Sequence, residues 1–254
     1  MAKNTSGGAQ RAVAPVEFRI LQAGDQAMSV EFGTTVDERI NRLAQAFDRR
    51  LSAAAIEGVL EAVPTYRAVL VLYDPLRIRA ADLRKRLAKL VPARLEEEVA
   101  ARRWTIPVAY GGAHGIDLDA VAARHGLGAA DVVALHAGAE YRVYMIGFAP
   151  GFAYLGGLPE RLHTPRLESP RLAVPAGSVA IGGVQAAIMS VEIPSGWHML
   201  GRTPEKLFDP RRSAPFLLAA GDRVRFDPVS PEDYARLEAR VAQGEVVARL
   251  EAAP

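Results

Sequence analysis

Between Tyr141 and about Asp227, glycine or proline interrupts the chain every few residues, yet the runs between them are rich in apolar side chains. No helix of ordinary length fits between such breakers, and a solvated loop would not carry so many aromatics. The densest stretch is "YMIGFAPGFAYLGGL", Tyr144 to Leu158, with four glycines, one proline and four aromatics in fifteen positions. Short strands closed into a compact barrel or sandwich, with ordered loops at the rim, satisfy both properties. Tyr144 to Phe148 reads as a strand that runs into a tight loop at Pro150 and Gly151. Phe148, Phe152 and Tyr154 then pack that loop down or line a cleft, and Gly147 and Gly151 let backbone pass close to a ligand or a partner. Further strands are expected at Ser178 to Ile181, Ala186 to Val191 and Arg223 to Phe226.

The chain before this region is patterned differently. Phe18, Ile20 and Leu21, a Gly24-Asp25 turn and then Ala27 to Phe32 alternate as strands do. After Asp37, the residues Ile40, Leu43, Ala44, Phe47 and Leu51 recur at spacings of three and four, which places them on one helix face. Gly58 to Val63 and Ala68 to Tyr73 read as strands, Ala80 to Val91 as an amphipathic helix, and Arg103 to Tyr110 as another strand. Strand, helix, two strands, helix, strand is the ferredoxin-like order. We therefore expect an α+β protein. Residues 1–15 form a disordered tail, 16–112 a ferredoxin-like domain, 113–139 a helical connector, 140–230 a β-barrel, and 231–254 a closing helix and tail.

Composition removes several function classes. The 254 residues include no cysteine, so disulfides, thiolate catalysis and cysteine-based metal sites are excluded. A net charge of +2 with no basic run speaks against nucleic acid. No apolar run approaches the ~20 residues needed to cross a bilayer, and the polar start resembles no signal peptide, so a cytoplasmic protein is expected. The five histidines show no metal-binding spacing, no G-x-x-x-x-G-K-[ST] loop or G-x-S-x-G elbow occurs, and nothing resembles a biotin attachment site. We expect no metal and no biotin on this chain.

The informative residues fall between Gly147 and Thr203. In Pro175-Ala-Gly-Ser-Val179, backbone amides near Gly177 and Ser178 can bind an oxyanion, or the segment is an ordinary turn. Gln185, after two glycines ending at Gly183, can bind an amide or carboxylate with donor and acceptor together, or satisfy backbone groups inside a barrel. Ser195, Gly196 and Trp197, followed by Arg202 and Thr203, offer a stacking surface and a bidentate cation, or a core tryptophan beside a structural arginine. Arg166 and Arg171, each flanked by proline, add positive potential or are merely solvated. Together they suggest a glycine-lined cleft that favours anions.

At these residues a resemblance becomes specific. "GFAPGFAYLGGLPERLHTPR", "PRLAVPAGSVAIGG" and "PSGWHMLGRTP", with "PVAYGG" at Pro107 to Gly112 and "LFDP" at Leu207 to Pro210, resemble the KipI-like family. That family is also known as allophanate hydrolase subunit 1, as the B subunit of 5-oxoprolinase, or as carboxyltransferase subdomain C and D. The resemblance runs from about Glu17 through Pro228. It implies a cyclophilin-like barrel behind a small α/β domain, and a KipA-like partner, the C subunit of 5-oxoprolinase. With a LamB/YcsF-like protein as the A subunit, it implies ATP-dependent opening of 5-oxoproline to glutamate, this chain being inactive alone. The family also includes inhibitors of a sporulation histidine kinase, and resembles carboxyltransferase subunits serving a separate biotin carrier. In the hydrolase reading, Gln185 and Arg202 orient a small amide or lactam and the amides at Gly177 and Ser178 stabilise developing charge. Phe148, Pro150, Gly151, Phe152, Arg171, Pro175, Gly183, Ser195, Gly196, Trp197 and Thr203 line the site. The chain departs from the family's pattern at Gln185-Ala-Ala-Ile-Met-Ser190, where a hydroxyl at Ala186, a glycine at Ala187 and an aromatic at Met189 are missing. These changes either shift specificity or only repack the barrel.

Overall fold

This computed structural model describes residues 16–95 and 101–251. The expected disordered tail over 1–15 lies outside them. Two compact units divide between the second helix and the strand that starts at Arg103.

The first unit contains β1 (Arg19–Gln22), β2 (Ala27–Glu31), α1 (Glu38–Ala54), β3 (Val59–Pro64), β4 (Ala68–Tyr73) and α2 (Ala80–Leu90). Its antiparallel sheet has the order β1-β2-β4-β3. Alternation sends Met28, Val30, Val69 and Val71 to one face, where they meet Leu43, Phe47, Leu51, Leu83 and Leu87 of the helices. The expected order is corrected: the unit runs strand, strand, helix, strand, strand, helix, and β1 takes the edge position beside β2 that was expected for Arg103 to Tyr110.

The second unit begins with β5 (Arg103–Tyr110), α3 (Leu118–Arg124) and α4 (Ala129–Ala137). It continues through β6 (Tyr141–Ile146), β7 (Ala153–Gly156), β8 (Arg171–Val174), β9 (Ser178–Gly182) and β10 (Gln185–Ile188). The remaining elements are β11 (Ile193–Ser195), β12 (His198–Arg202), β13 (Arg223–Pro228), α5 (Pro231–Ala242) and β14 (Arg249–Glu251). Strands pair in the order β12-β9-β10-β7-β6-β13-β5, and β12 pairs again with β5, so the sheet closes into a seven-stranded barrel. β14 joins the outer side of β5.

β5 is mostly buried along its length and needs cover on both faces. It runs parallel to β13 and antiparallel to β12 and β14. The boundary expected at 112 therefore lies before β5. The residues expected as a connector belong to the barrel unit, since Leu118, Val121, Ala122 and Val132 join its main apolar cluster. The closing helix and tail are likewise part of it: α5 is capped by the Ser230 hydroxyl, which accepts from the Asp233 amide at 3.0 Å, and β14 extends the sheet. Glu205, 2% exposed, fastens this end, accepting from Arg212 at 3.0 Å and from the Val247 and Ala248 amides at 2.6 and 2.8 Å. Among the described residues no helix is long and apolar enough to cross a membrane.

β9 and β10 are buried on both faces. Val179, Ile181, Ala186 and Ile188 belong to the main cluster, whereas Ala180, Ala187 and Met189 belong to a second one with Phe152, Val174, Ile193, Trp197 and Met199. Ala186, Ala187 and Met189 are fully buried in these two clusters. At these three positions the side chains therefore pack inside the barrel unit, Ala187 and Met189 directly behind the Phe152 and Trp197 rings. The strand expected over Tyr144 to Phe148 starts earlier and ends at Ile146, because Phe148 has φ +70°, a left-handed value that no strand accepts.

This packing can be tested at the seam and in the core. At the seam, Gly201 faces Tyr110, and a Cβ there would stand 2.6 Å from the Ala109 carbonyl oxygen and 2.7 Å from Val108. Gly201→Ala should cost about 2 kcal/mol in urea denaturation, the usual range for overpacking. His136 lies fully buried in the barrel unit, stacked on Phe226 at 4.8 Å, with Nδ1 2.9 Å from the Tyr110 hydroxyl. Burial pulls its pKa down to about 3. The folded protein therefore keeps it neutral where the unfolded chain takes up a proton, and stability is lost as pH falls from about 6.5 towards 3. Relative to wild type, His136→Leu should remove a slope of up to about 1.4 kcal/mol per pH unit in that window, read by denaturation at stepped pH.

Candidate functional site

Gln185 opens β10 opposite Gly182 of β9. On its other side, continuation of the Ala186–Leu155 pairing brings Gly156 of β7 alongside. Laterally paired residues present their side chains to the same face. At both flanking positions there is no side chain, and a ring takes the space. A Cβ on Gly182 would stand 2.7 Å from Trp197 Cδ2, and one on Gly156 would stand 2.2 Å from Tyr144 Cζ. Gln185 therefore stands between two strand positions covered by the Tyr144 and Trp197 rings. Gln185 is 6% exposed, and its Nε2 has no hydrogen-bond acceptor among the described residues. A buried amide donor without a partner costs about 1–3 kcal/mol, so a ligand carbonyl or a water at this point would be bound favourably.

Trp197 continues into a cleft of about 200 Å³ with Phe148, Phe152, Tyr154, Arg166, Ser195 and Gly196. Its rings are stacked edge to face, Phe148 on Phe152 at 5.8 Å, Phe152 on Tyr154 at 4.5 Å, and Tyr154 near Trp197 at 6.1 Å. The Arg166 guanidinium lies 5.2 Å from the Trp197 ring centre, so this exposed cation rests on the ring at the mouth of the cleft. Phe148 is 70% exposed at the outer end. The Pro150-Gly151 turn backs the cleft: the Pro150 carbonyl accepts from the Ser190 hydroxyl, and Gly151 sits against Leu207 and Phe208.

The expected Gly177–Ser178 oxyanion site does not form. The Gly177 amide donates to Met189 at 2.7 Å and the Ser178 amide to Pro175 at 3.3 Å, so both donors are consumed in a turn between strands. Gly177 serves a close approach instead, with φ +80° and its missing Cβ 2.2 Å from the Thr203 carbonyl oxygen. Ser178 is 1% exposed.

Arg202 does not join Gln185 either. It pairs with Ser178 at the far end of β9, four residues from Gly182, which is about 13 Å along the strand. It lines a separate cleft of about 180 Å³ with Gly177, Thr203, Lys206 and, from α5, Tyr234 and Glu238. Thr203 is turned inward, its hydroxyl accepting from the Glu205 amide at 3.1 Å.

Arg171 is a structural residue. Its guanidinium donates to Asp117 at 2.7 Å, and the other oxygen of Asp117 accepts from the Met199 amide at 2.8 Å, which ties β8 to β12. Ser195 accepts from the Trp197 amide at 3.2 Å, shaping the turn that presents the ring. Gly183 exchanges two backbone hydrogen bonds with Thr164 and holds the end of the β9–β10 hairpin. Sequence reasoning misses Tyr144, Gly156, Gly182 and Asp117 as site-forming residues, along with Tyr234 and Glu238. Only the glycine doublets at 156–157 and 182–183 signal where rings cross the sheet.

Gly182→Ala tests this row. The new methyl should push the Trp197 ring aside, red-shift the tryptophan fluorescence and lower stability by about 1–3 kcal/mol. An unchanged spectrum would mean that the ring does not cover Gly182.

Comparison with known proteins agrees with this architecture. The family model described as carboxyltransferase domain, subdomain C and D matches residues 18–218. The B subunit of 5-oxoprolinase from Bacillus subtilis (strain 168) is 38% identical over 233 residues, covering 86% of this chain and 96% of that protein. Among solved structures, TTHA0988 is similar at 41% identity and TM-score 0.72, over 81% of this chain; this chain spans 40% of that one. The K. lactis urea amidolyase, at 21% identity, shares the fold with TM-score 0.79 over 95% of this chain and 17% of its own. With the motifs, the closed barrel and these relatives in agreement, the chain belongs to the carboxyltransferase subdomain C and D family.

Proposed function

We propose that this chain is the B-type subunit of a cytoplasmic, ATP-dependent amidohydrolase that opens 5-oxoproline to glutamate. A KipA-like protein completes its site, and a LamB/YcsF-like protein is the third member of the assembly. The observation that carries the reading is the buried Gln185 amide, flanked by the ring-covered Gly156 and Gly182, with no acceptor for its Nε2 among the described residues. The relatives named as the B subunit of 5-oxoprolinase support the choice of a lactam as the ligand class.

In this reading Gln185 Nε2 donates to the ring carbonyl of the lactam. A hydrogen bond shielded from water by two rings is stronger than the same bond in solvent. Gln185 has no titratable group, and burial pushes the Tyr144 phenol up, so neither residue is a base near neutral pH. The chain orients and polarises the substrate, and proton transfer falls to the partner proteins. ATP falls to them as well, since this chain carries no G-x-x-x-x-G-K-[ST] phosphate loop.

The test is phosphate release by the complete assembly in the presence of 5-oxoproline. Wild type should show substrate-dependent release, and Gln185→Leu should lower kcat/KM about 100-fold, the loss expected for one preorganised donor, while the assembly still co-purifies. Absence of substrate-dependent release from the wild-type assembly would overturn the lactam reading. Wild-type kinetics in Gln185→Leu would remove Gln185 from the site.

A further inference from the structure

The cleft at the Arg202 end of β9 contains two opposite charges that the protein leaves apart. Arg202 uses only Nε, which donates to the Ala176 carbonyl at 2.8 Å. That bond fixes the plane of the guanidinium, and its two terminal nitrogens have no protein acceptor among the described residues. Lys206 lines the same cleft and, among the described residues, makes no ion pair there. Glu238, on α5, also lines it, and its carboxylate accepts only the Tyr234 hydroxyl, at 3.3 Å. The basic residues near it on α5 are engaged elsewhere, Arg236 with Asp233 at 2.6 Å and Arg240 with Glu245 at 2.9 Å. The other carboxylate of the cleft, Glu205, is consumed by Arg212 and two backbone amides.

Tyr234 lines the same cleft. Its phenol is pushed up to about 12, first by burial, and it feels both the Arg202 charge, which lowers it, and the Glu238 charge, which raises it. Its ring is held in place by His114 at 4.3 Å. A neutral hydroxyl on the Glu238 carboxylate thus shares the cleft with a fork of free guanidinium donors. An anion alone would satisfy Arg202 and Lys206 but would face Glu238. A cation alone would do the reverse. A small molecule carrying both charges satisfies each wall.

We propose that this cleft is a second ligand site, for a small zwitterion of the α-amino acid class, its carboxylate on Arg202 and Lys206 and its ammonium on Glu238. The guanidinium fork supplies bidentate carboxylate recognition, which Lys206 alone cannot. The site stands apart from Gln185 and does not depend on the lactam reading.

The experiment is a chemical-shift titration of the full chain with L-alanine, L-glutamate, acetate and inorganic phosphate. Both amino acids should bind saturably and more tightly than acetate or phosphate. Arg202→Gln and Glu238→Gln should each weaken amino acid binding at least 10-fold, whereas acetate should respond to Arg202→Gln alone. Gln185→Leu should leave the L-alanine titration unchanged, which separates this cleft from the lactam site. Arg202→Lys, which keeps the charge and loses the fork, should bind less tightly than wild type, and it decides the matter if Arg202→Gln does not fold. Absence of saturable amino acid binding, acetate or phosphate binding as tightly as the amino acids, or indifference to Glu238→Gln would each overturn the proposal.

Discussion

Everything in the second unit depends on the meeting of β5 and β12. Without the Tyr110–Gly201 and Ala109–Arg202 pairs the sheet would be an open ribbon of eight strands with exposed edges. Closure brings β12 between β9 and β5, and that placement sets where Arg202 emerges at one end of β9 and where Trp197 crosses at the other. Glycine at 201 is what allows the two backbones to approach so closely. The apolar interior gives the barrel its stability, but the seam decides its geometry.

The elements whose pattern is local are legible in the sequence. α1 and α2 repeat at three and four residues, and β9 and β10 stand out as small apolar runs between glycines. β5 is misplaced by sequence reasoning for a physical reason. Its alternation suits either sheet, and what claims it is parallel pairing with β13, more than one hundred residues later. Arg171 looks available in the sequence because its partner, Asp117, lies 54 residues away. Local sequence does not show who neutralises a charge.

The candidate site divides in the same way. Gln185 is identifiable because a long amide following two glycines is unusual in a strand. Its environment is not, since Tyr144 and Trp197 reach it only through the registers of β7 and β9. The turn at Pro175 invites an oxyanion reading from residue types alone. Its amides instead close the chain on itself, because β9 and β10 are covered on both faces and no donor there can be left unpaired cheaply.

β5 also bears on how the protein is made. The first unit has all its strands and helices by Leu90, so it can fold while the rest of the chain is still being synthesised. β5 emerges next and must wait about ninety residues for β12, longer for β13, and longer still for β14. During that interval a buried-type strand has no permanent neighbour. A newborn chain of this family is therefore most in need of protection while its barrel is being translated, and loss of the last few residues of β14 would leave β5 with one edge uncovered where it starts.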